Sequence, residues 1–396
     1  MSGGFEDFAA AFSASRVSAD SIQALSLNKV AVLGGGGDAR LLAALCLSEG
    51  AEVKLFSAYG KELEALRSGG GVALRGAGPV GSYQVDQDSA PSIKTTAELD
   101  SAVVDADVIF LTGPVHKQRT YAMVLADHLR DGQVLVLAPG RSMGALEVNH
   151  FLRVGGATAD VTIVEAVGLP YWFEEVGTAL HLSEAGQVPA ATLPAGRVNV
   201  IEALQRFLPN IRPVLSIMQS GFSDGSGMVE IPALILGGVA MEDGARPVPM
   251  GGTPLPENQT FRALIGPEQA TVIATLSEER RAVASRFGVR DLPSAEAWTN
   301  CRAGSLKGDG SRPVPSKSES KALLRDGVAG SLVPLVSAAK LAKIPVPVTE
   351  AMIALVSSIL GADIAPTGRR LETIGIVAND ADEARAILDT ISKGGK

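Results

Sequence analysis

At 396 residues, 46% of them hydrophobic, the chain is long enough to bury a large core and to divide into two or three domains. Its net charge of −8 is spread over interspersed residues of both signs, which excludes a polyanionic partner, because nucleic acid or an anionic membrane surface calls for a concentrated basic stripe. Cys46 and Cys301 stand too far apart for a redox or zinc motif, and no Cys, His and carboxylate cluster has metal-ligand spacing, so no metal is expected and a reducing cytoplasm is the expected setting.

Residues 1–28 read as an N-terminal extension. They lack a cationic start, and Glu6, Asp7 and Asp20 interrupt what would have to be an apolar core, so they do not read as a secretory signal. No stretch reaches the ~18 uncharged apolar residues of a membrane span. From Lys29 the chain alternates short β-branched runs with helical stretches; the runs are 30–33, 53–56, 108–111, 134–138 and 161–164. Continuous apolar runs separated by helices predict a parallel sheet covered on both faces.

The first run leads into GGGGDAR, in which Gly34, Gly36 and Ala39 fit G-x-G-x-x-A, with Gly37 beside them. The first glycine permits a tight turn, the second lets backbone N–H groups approach a pyrophosphate, and the small third residue lets helix and strand pack closely. The segment 29–212 therefore reads as a dinucleotide-binding Rossmann domain. At the end of the second run, where an acid usually grips the adenosine ribose, stand Ser57, Ala58 and Tyr59, with Lys61 close behind. A hydroxyl and a cation without a carboxylate suit a 2′-phosphate, so the expected cofactor is NADP(H), with NAD(H) as the alternative. After about Pro213 apolar residues fall at helical spacing. Ile273, Leu276, Val283 and Phe287 share one helix side, and 213–396 reads as an all-α domain. Two loops rich in Gly, Pro and Ser, 244–256 and 303–320, are long enough to be binding elements.

Six stretches, GPVHKQRTYA (113–122), LAPGRSMGALEV (137–148), EAVGLPYWF (165–173), GFSDGSGMVEIPALILGG (221–238), SAEAWTNC (294–301) and the run 321–364, taken in order, resemble the octopine/nopaline (opine) dehydrogenase family. The resemblance implies a Rossmann domain followed by a helical domain that binds an amino acid, and the NAD(P)H-dependent reductive condensation of that amine with a 2-oxo acid such as pyruvate. It also implies a monomer or homodimer whose partners are small-molecule substrates.

One departure concerns the chemistry. Where the family carries a histidine paired with a downstream aspartate, this chain has Glu230, and no histidine follows His181; Asp326 matches the aspartate. Glu230 and Asp326 are then expected either to share one proton as acid and base, or Glu230 to recognise a cationic substrate group. An unpaired charge inside MVEIPALIL would be expensive, so both readings outweigh a plain surface glutamate. His116, after a strand end, is the best remaining imidazole for proton chemistry. Lys321, where relatives carry an arginine, is expected to pair with a substrate carboxylate, Trp298 to line the amino-acid pocket, and Glu165 and Tyr171 to shape the interdomain cleft. Two alternatives keep the cofactor. One is a ketopantoate or 6-phosphogluconate type reductase using Lys321 or Lys340; the other is a non-catalytic cofactor-binding protein.

Overall fold

The computed structural model describes residues 25, 27–239, 246–249, 252–256, 259–304 and 312–394. Nearly all of the N-terminal extension, and parts of both long loops, lie outside the described residues.

The apolar runs become strands at the expected places: β1 (Lys29–Leu33), β2 (Glu52–Phe56), then β3 (Val72–Gly76), β4 (Gly81–Tyr83), β5 (Lys94–Thr96), β6 (Val108–Leu111), β7 (Val134–Leu137), β8 (Thr162–Ala166), β9 (Tyr171–Val176), β10 (Ala179–Glu184), β11 (Val188–Leu193) and β12 (Ile211–Pro213). Eight of them form one sheet in the order β12-β11-β8-β7-β6-β1-β2-β5. All neighbours from β5 to β8 are parallel, and β11 joins β8 antiparallel. The chain leaves β1 toward β2 and returns on its other side as β6, so the crevice beyond the ends of β1 and β6 is the topological switch point where ligands of such sheets bind.

Side chains alternate across these strands, and the two faces feed different cores. Val30, Val32, Val108, Phe110, Val134 and Val136 pack with the helix Gly37–Ser48. Ala31, Leu33, Ile109, Leu111, Leu135 and Leu137 belong to a core that runs on into the second half of the chain. That half is helical, with helices that include Ser226–Leu236, Pro267–Arg286, Lys317–Gly327, Val333–Ala342 and Pro347–Leu360. The four apolar residues expected on one side of Pro267–Arg286 and its cap are all buried. By length and composition the run Lys317–Ala342 would reach across a membrane, but most of it is packed inside the domain.

The sequence reading did not anticipate the second sheet, β4-β3-β10-β9. Its strand β9 lies over the start of Gly37–Ser48, where a side chain at Gly37 would meet Phe173 and Glu175, and Arg40 pairs with Glu175 at 2.5 Å.

The domains are buckled by Arg369. This fully buried guanidinium donates from Nε to Glu147 at 2.7 Å, from Nη1 to the carbonyls of Gly140 and Ser142 at 2.7 and 3.0 Å, and from Nη2 to Gln118 at 2.7 Å. Glu147 and Gln118 belong to the Rossmann half, so a helical-domain cation is satisfied by the opposite wall.

Candidate active site

The turn after β1 meets the requirements of a phosphate cradle. Gly34 holds φ of +140°, and a Cβ there would collide with Thr112 Oγ1, which itself donates to Leu33 O at 2.9 Å and ties β6 to β1. Gly36 caps the helix Gly37–Ser48 without any side-chain cap bond, and the space beside its Cα is open. Uncapped helix N–H groups facing open space suit an anion, as the pyrophosphate of a dinucleotide requires. Ala39 is fully buried under the strand.

The ribose end differs from the sequence expectation. Ser57 Oγ, which caps the N–H of Tyr59, donates to Glu62 at 2.5 Å, and the Glu62 carboxylate lies over Gly35. Lys61 is exposed, and the cation that does approach is Lys117, 4.9 Å from the Tyr59 ring centre. The carboxylate missing from the usual position is supplied five residues later, from the first turn of the following helix.

Glu230 is fully buried on Ser226–Leu236, as its apolar setting demands, but its surroundings are basic. Arg302 Nη2 and Arg312 Nη1 both donate to Glu230 Oε1, at 2.5 and 2.8 Å, and Arg141 Nη1 stands 3.8 Å from Oε2. Arg312 also stacks against Phe261 at 4.3 Å and reaches Trp172 of β9 at 5.8 Å, which is how the second sheet joins the site. Burial pushes the Glu230 carboxyl up, but the guanidiniums of Arg302, Arg312 and Arg141 outweigh it and hold it at about 2. A carboxyl at that value is ionised at neutral pH. It holds no proton to donate, and the expected proton-sharing pair with Asp326 does not form.

Asp326 faces other groups. Burial raises its carboxyl, while Arg141, His116, Arg369 and a hydrogen bond from the Val115 N–H pull it back down. Val115 and His116 open the helix after β6, and His116 is exposed. The structure therefore brings Asp326 of the helical domain to the Val115 N–H at the start of the helix that carries His116, beyond the strand ends. Asp38, in the first turn of the cradle helix, is raised to about 6 by burial, against the pull of Arg141 and with a push from Asp326 and Glu175.

The remaining expectations divide. Lys321 is partly buried on Lys317–Gly327 and makes no hydrogen bond or ion pair with the described residues. Trp298 is core and does not line a pocket: it is 2% exposed, its indole N–H donates to Ser223 O at 2.9 Å, and its ring closes over Gly225. Glu165 is likewise a buried strut with no open face, accepting from Ser220 Oγ at 2.6 Å and from Ala145 N–H at 3.0 Å; burial raises it to about 7. Tyr171 packs on Gly78 within the second sheet.

Sequence reasoning missed Arg141, Arg302, Arg312 and Glu62. A lone glutamate in an apolar helix signals that cations must come to it, but the three that do are scattered over 171 positions of sequence from 141 to 312.

No family model matches the chain. Among curated proteins it is 25% identical to an opine dehydrogenase of Arthrobacter sp. (strain 1C), over 91% of this chain and 98% of that one. It is also 25% identical to Protein ocs of Agrobacterium tumefaciens (strain Ach5), over 89% of this chain and 97% of that one. Among solved structures, octopine dehydrogenase with NADH and pyruvate superposes with a TM-score of 0.65 at 20% identity, covering 93% of this chain and 98% of that one. Yersinopine dehydrogenase with NADP+ bound reaches 0.56 at 12% identity, covering 92% and 99%. The structural likeness is one of fold, and the curated likeness covers about nine-tenths of the chain. A Rossmann half with a built phosphate cradle, joined through Arg369 to a helical half, is thus the fold this chain shares with octopine dehydrogenase, and its sequence is similar to those of opine dehydrogenases over most of its length.

Proposed function

We propose that the protein catalyses the NAD(P)H-dependent reductive condensation of an amino acid with a 2-oxo acid, His116 and Asp326 performing the proton transfers. The observation that carries this reading is the approach of Asp326, from the helical domain, to the only imidazole standing at the strand ends among the described residues. Gly34, Gly36 and Gly37 with Ala39 would hold the pyrophosphate, and the dinucleotide, when bound, would supply the hydride. His116 donates a proton to the carbonyl oxygen as water leaves and recovers one from the amine. Asp326, held by the Val115 N–H at the start of the helix that carries His116, stands on the same side as the imidazole and positions the substrate for it. Glu230 takes no part in proton transfer in this scheme; it holds Arg302 and Arg312 in place.

For the cofactor, Glu62 supports NADH. A carboxylate hydrogen-bonded to Ser57 can accept from a ribose hydroxyl and repels a 2′-phosphate, against the NADP(H) expectation from Ser57 and Lys61. Cytoplasmic residence and a monomeric or dimeric state belong to the same reading.

The test is loss of NADH absorbance with pyruvate and a panel of amino acids, each reaction repeated without the amine. Oxidation that requires both partners is expected, and His116→Asn is expected to lower kcat by about 10²- to 10⁴-fold. Oxidation without amine would instead make the protein an oxo-acid reductase. Full turnover in His116→Asn would remove the imidazole from the mechanism.

A further inference from the structure

Arg141 and Glu230 each keep unspent hydrogen-bonding capacity in the closed interior of the cleft. Arg141 is 6% exposed, and its Nε and Nη1 are buried without a hydrogen-bond partner among the described residues; the same holds for Glu230 Oε2. These groups face one another at 3.8 Å, too far for a hydrogen bond. The other cations of the region are engaged through at least one nitrogen, although Arg302 Nε is also left without a partner among the described residues. Arg302 and Arg312 reach Oε1 of the same carboxylate, and Arg369 is satisfied at every nitrogen. An unpaired buried donor or acceptor forfeits its hydration without recompense, so leaving two sets of them side by side is expensive unless a ligand completes them.

Backbone conformation adds to the case. Arg141 adopts φ of +58°, uncommon for a side-chain-bearing residue, and Met143 two residues on adopts +62°. The loop is pinned there: Ser142 N–H donates to Gly330 O at 2.9 Å, and a Cβ on Gly330 would collide with the Arg141 stem. Gly330 belongs to a π-helical turn, Val328–Leu332, interposed between Lys317–Gly327 and Val333–Ala342. Such turns recur at functional sites. A strained residue of the Rossmann wall is thus held against an irregular turn of the helical wall, with its guanidinium at the tip of Glu230.

We infer that Arg141 and Glu230 together read the α-carboxylate and α-amino group of the amine substrate. The carboxylate accepts from Arg141 Nη1, the unpartnered nitrogen that faces Glu230, and the amine N–H donates to Glu230 Oε2. A zwitterionic head group satisfies both orphaned sides at once. A bare carboxylate would be repelled by Glu230, and a bare amine by Arg141. This assignment rests on the opine reading above for its choice of substrate, and it gives the two residues a binding role distinct from the proton transfers of His116. Because both atoms are closed off in the present arrangement, the head group enters with the two walls parted.

The test measures binding rather than turnover. Calorimetric titration of the full chain with NADH present uses L-alanine, L-leucine and L-glutamate as probes. Each is paired with its deaminated partner (propionate, 4-methylpentanoate, glutarate) and its decarboxylated partner (ethylamine, isopentylamine, 4-aminobutyrate). For at least one amino acid, both truncations are expected to weaken binding by about ten- to a hundredfold. Glu230→Gln is expected to lose the advantage over the deaminated partner alone, and Arg141→Gln the advantage over the decarboxylated partner alone. A role confined to stability would weaken all three ligands equally. Binding of none of the amino acids, or truncations that bind as tightly as the amino acid in the wild type, overturns the assignment without recourse to any variant. The crossed pattern without amine-dependent NADH oxidation would keep the head-group site and reject the opine reaction, whereas amine-dependent oxidation without the crossed pattern would do the reverse.

Discussion

Replacing Glu230 by glutamine separates its two expected roles through stability rather than rate. The carboxyl, moved from an ordinary 4.5 to about 2, favours its ionised form in the folded protein by about 3 kcal/mol. Removing one partner of a buried ion pair independently leads to about 3–5 kcal/mol, because Arg302 and Arg312 would be left facing a neutral amide. For a helical domain of this size, 3 kcal/mol corresponds to a fall in melting temperature of about 6–12 °C. The sign with pH follows from linkage. A carboxyl depressed in the folded state contributes stability above its unfolded value, and that contribution is lost as pH falls from about 4.5 toward 2. Urea midpoints from pH 6 down to pH 2.5 should therefore fall more steeply for the wild type than for Glu230→Gln, which begins lower and stays flatter. Unchanged stability across that range together with lost turnover would refute the ion-pair reasoning and return Glu230 to acid/base duty.

Three further outcomes can be checked directly. Glu165, raised by burial to about 7, titrates with the opposite sign: the folded state keeps a proton that the unfolded state releases, so stability is lost as pH rises from about 4.5 to 7, and Glu165→Gln should flatten urea midpoints over that window. Glu62→Ala should raise the NADPH to NADH ratio of kcat/KM by about tenfold, through loss of one like-charge contact; an unchanged ratio would dismiss Glu62 as the ribose-end determinant. Arg369→Met leaves Glu147 buried with only Arg119 as partner, and should cost about 3–5 kcal/mol and expose the interdomain loops to limited proteolysis; a variant as protease-resistant as the wild type would show that the buckle is dispensable.

Much of the architecture was written locally. Five β-branched runs became five strands of a parallel sheet, because a strand buried on both faces has to be apolar at every position. GGGGDAR became a cradle, because only glycine fits where the backbone crosses Thr112 and turns at φ of +140°. The helix Pro267–Arg286 kept its apolar side inward because helical spacing alone puts those residues on one stripe. Short-range periodicity and steric permission are properties of a stretch of chain, and they survive without knowledge of what lies opposite.

Charge compensation is a property of what lies opposite, and only the tertiary structure decided it. The carboxylate at Glu230 was known from sequence to need a partner, but its cations come from the loop after β7, the end of helix Ala295–Ala303 and the loop beyond it. That encirclement turned an expected proton donor into an anion at neutral pH. It also set Asp326 against the Val115 N–H at the start of the His116 helix, buried Trp298 and Glu165 in the packing, and brought Glu62 to Ser57. The difference is physical. Packing periodicity acts over one turn of helix or two residues of strand, whereas the ionisation state of a buried group depends on every charge within several ångströms, and those charges are gathered from distant sequence only by the completed fold.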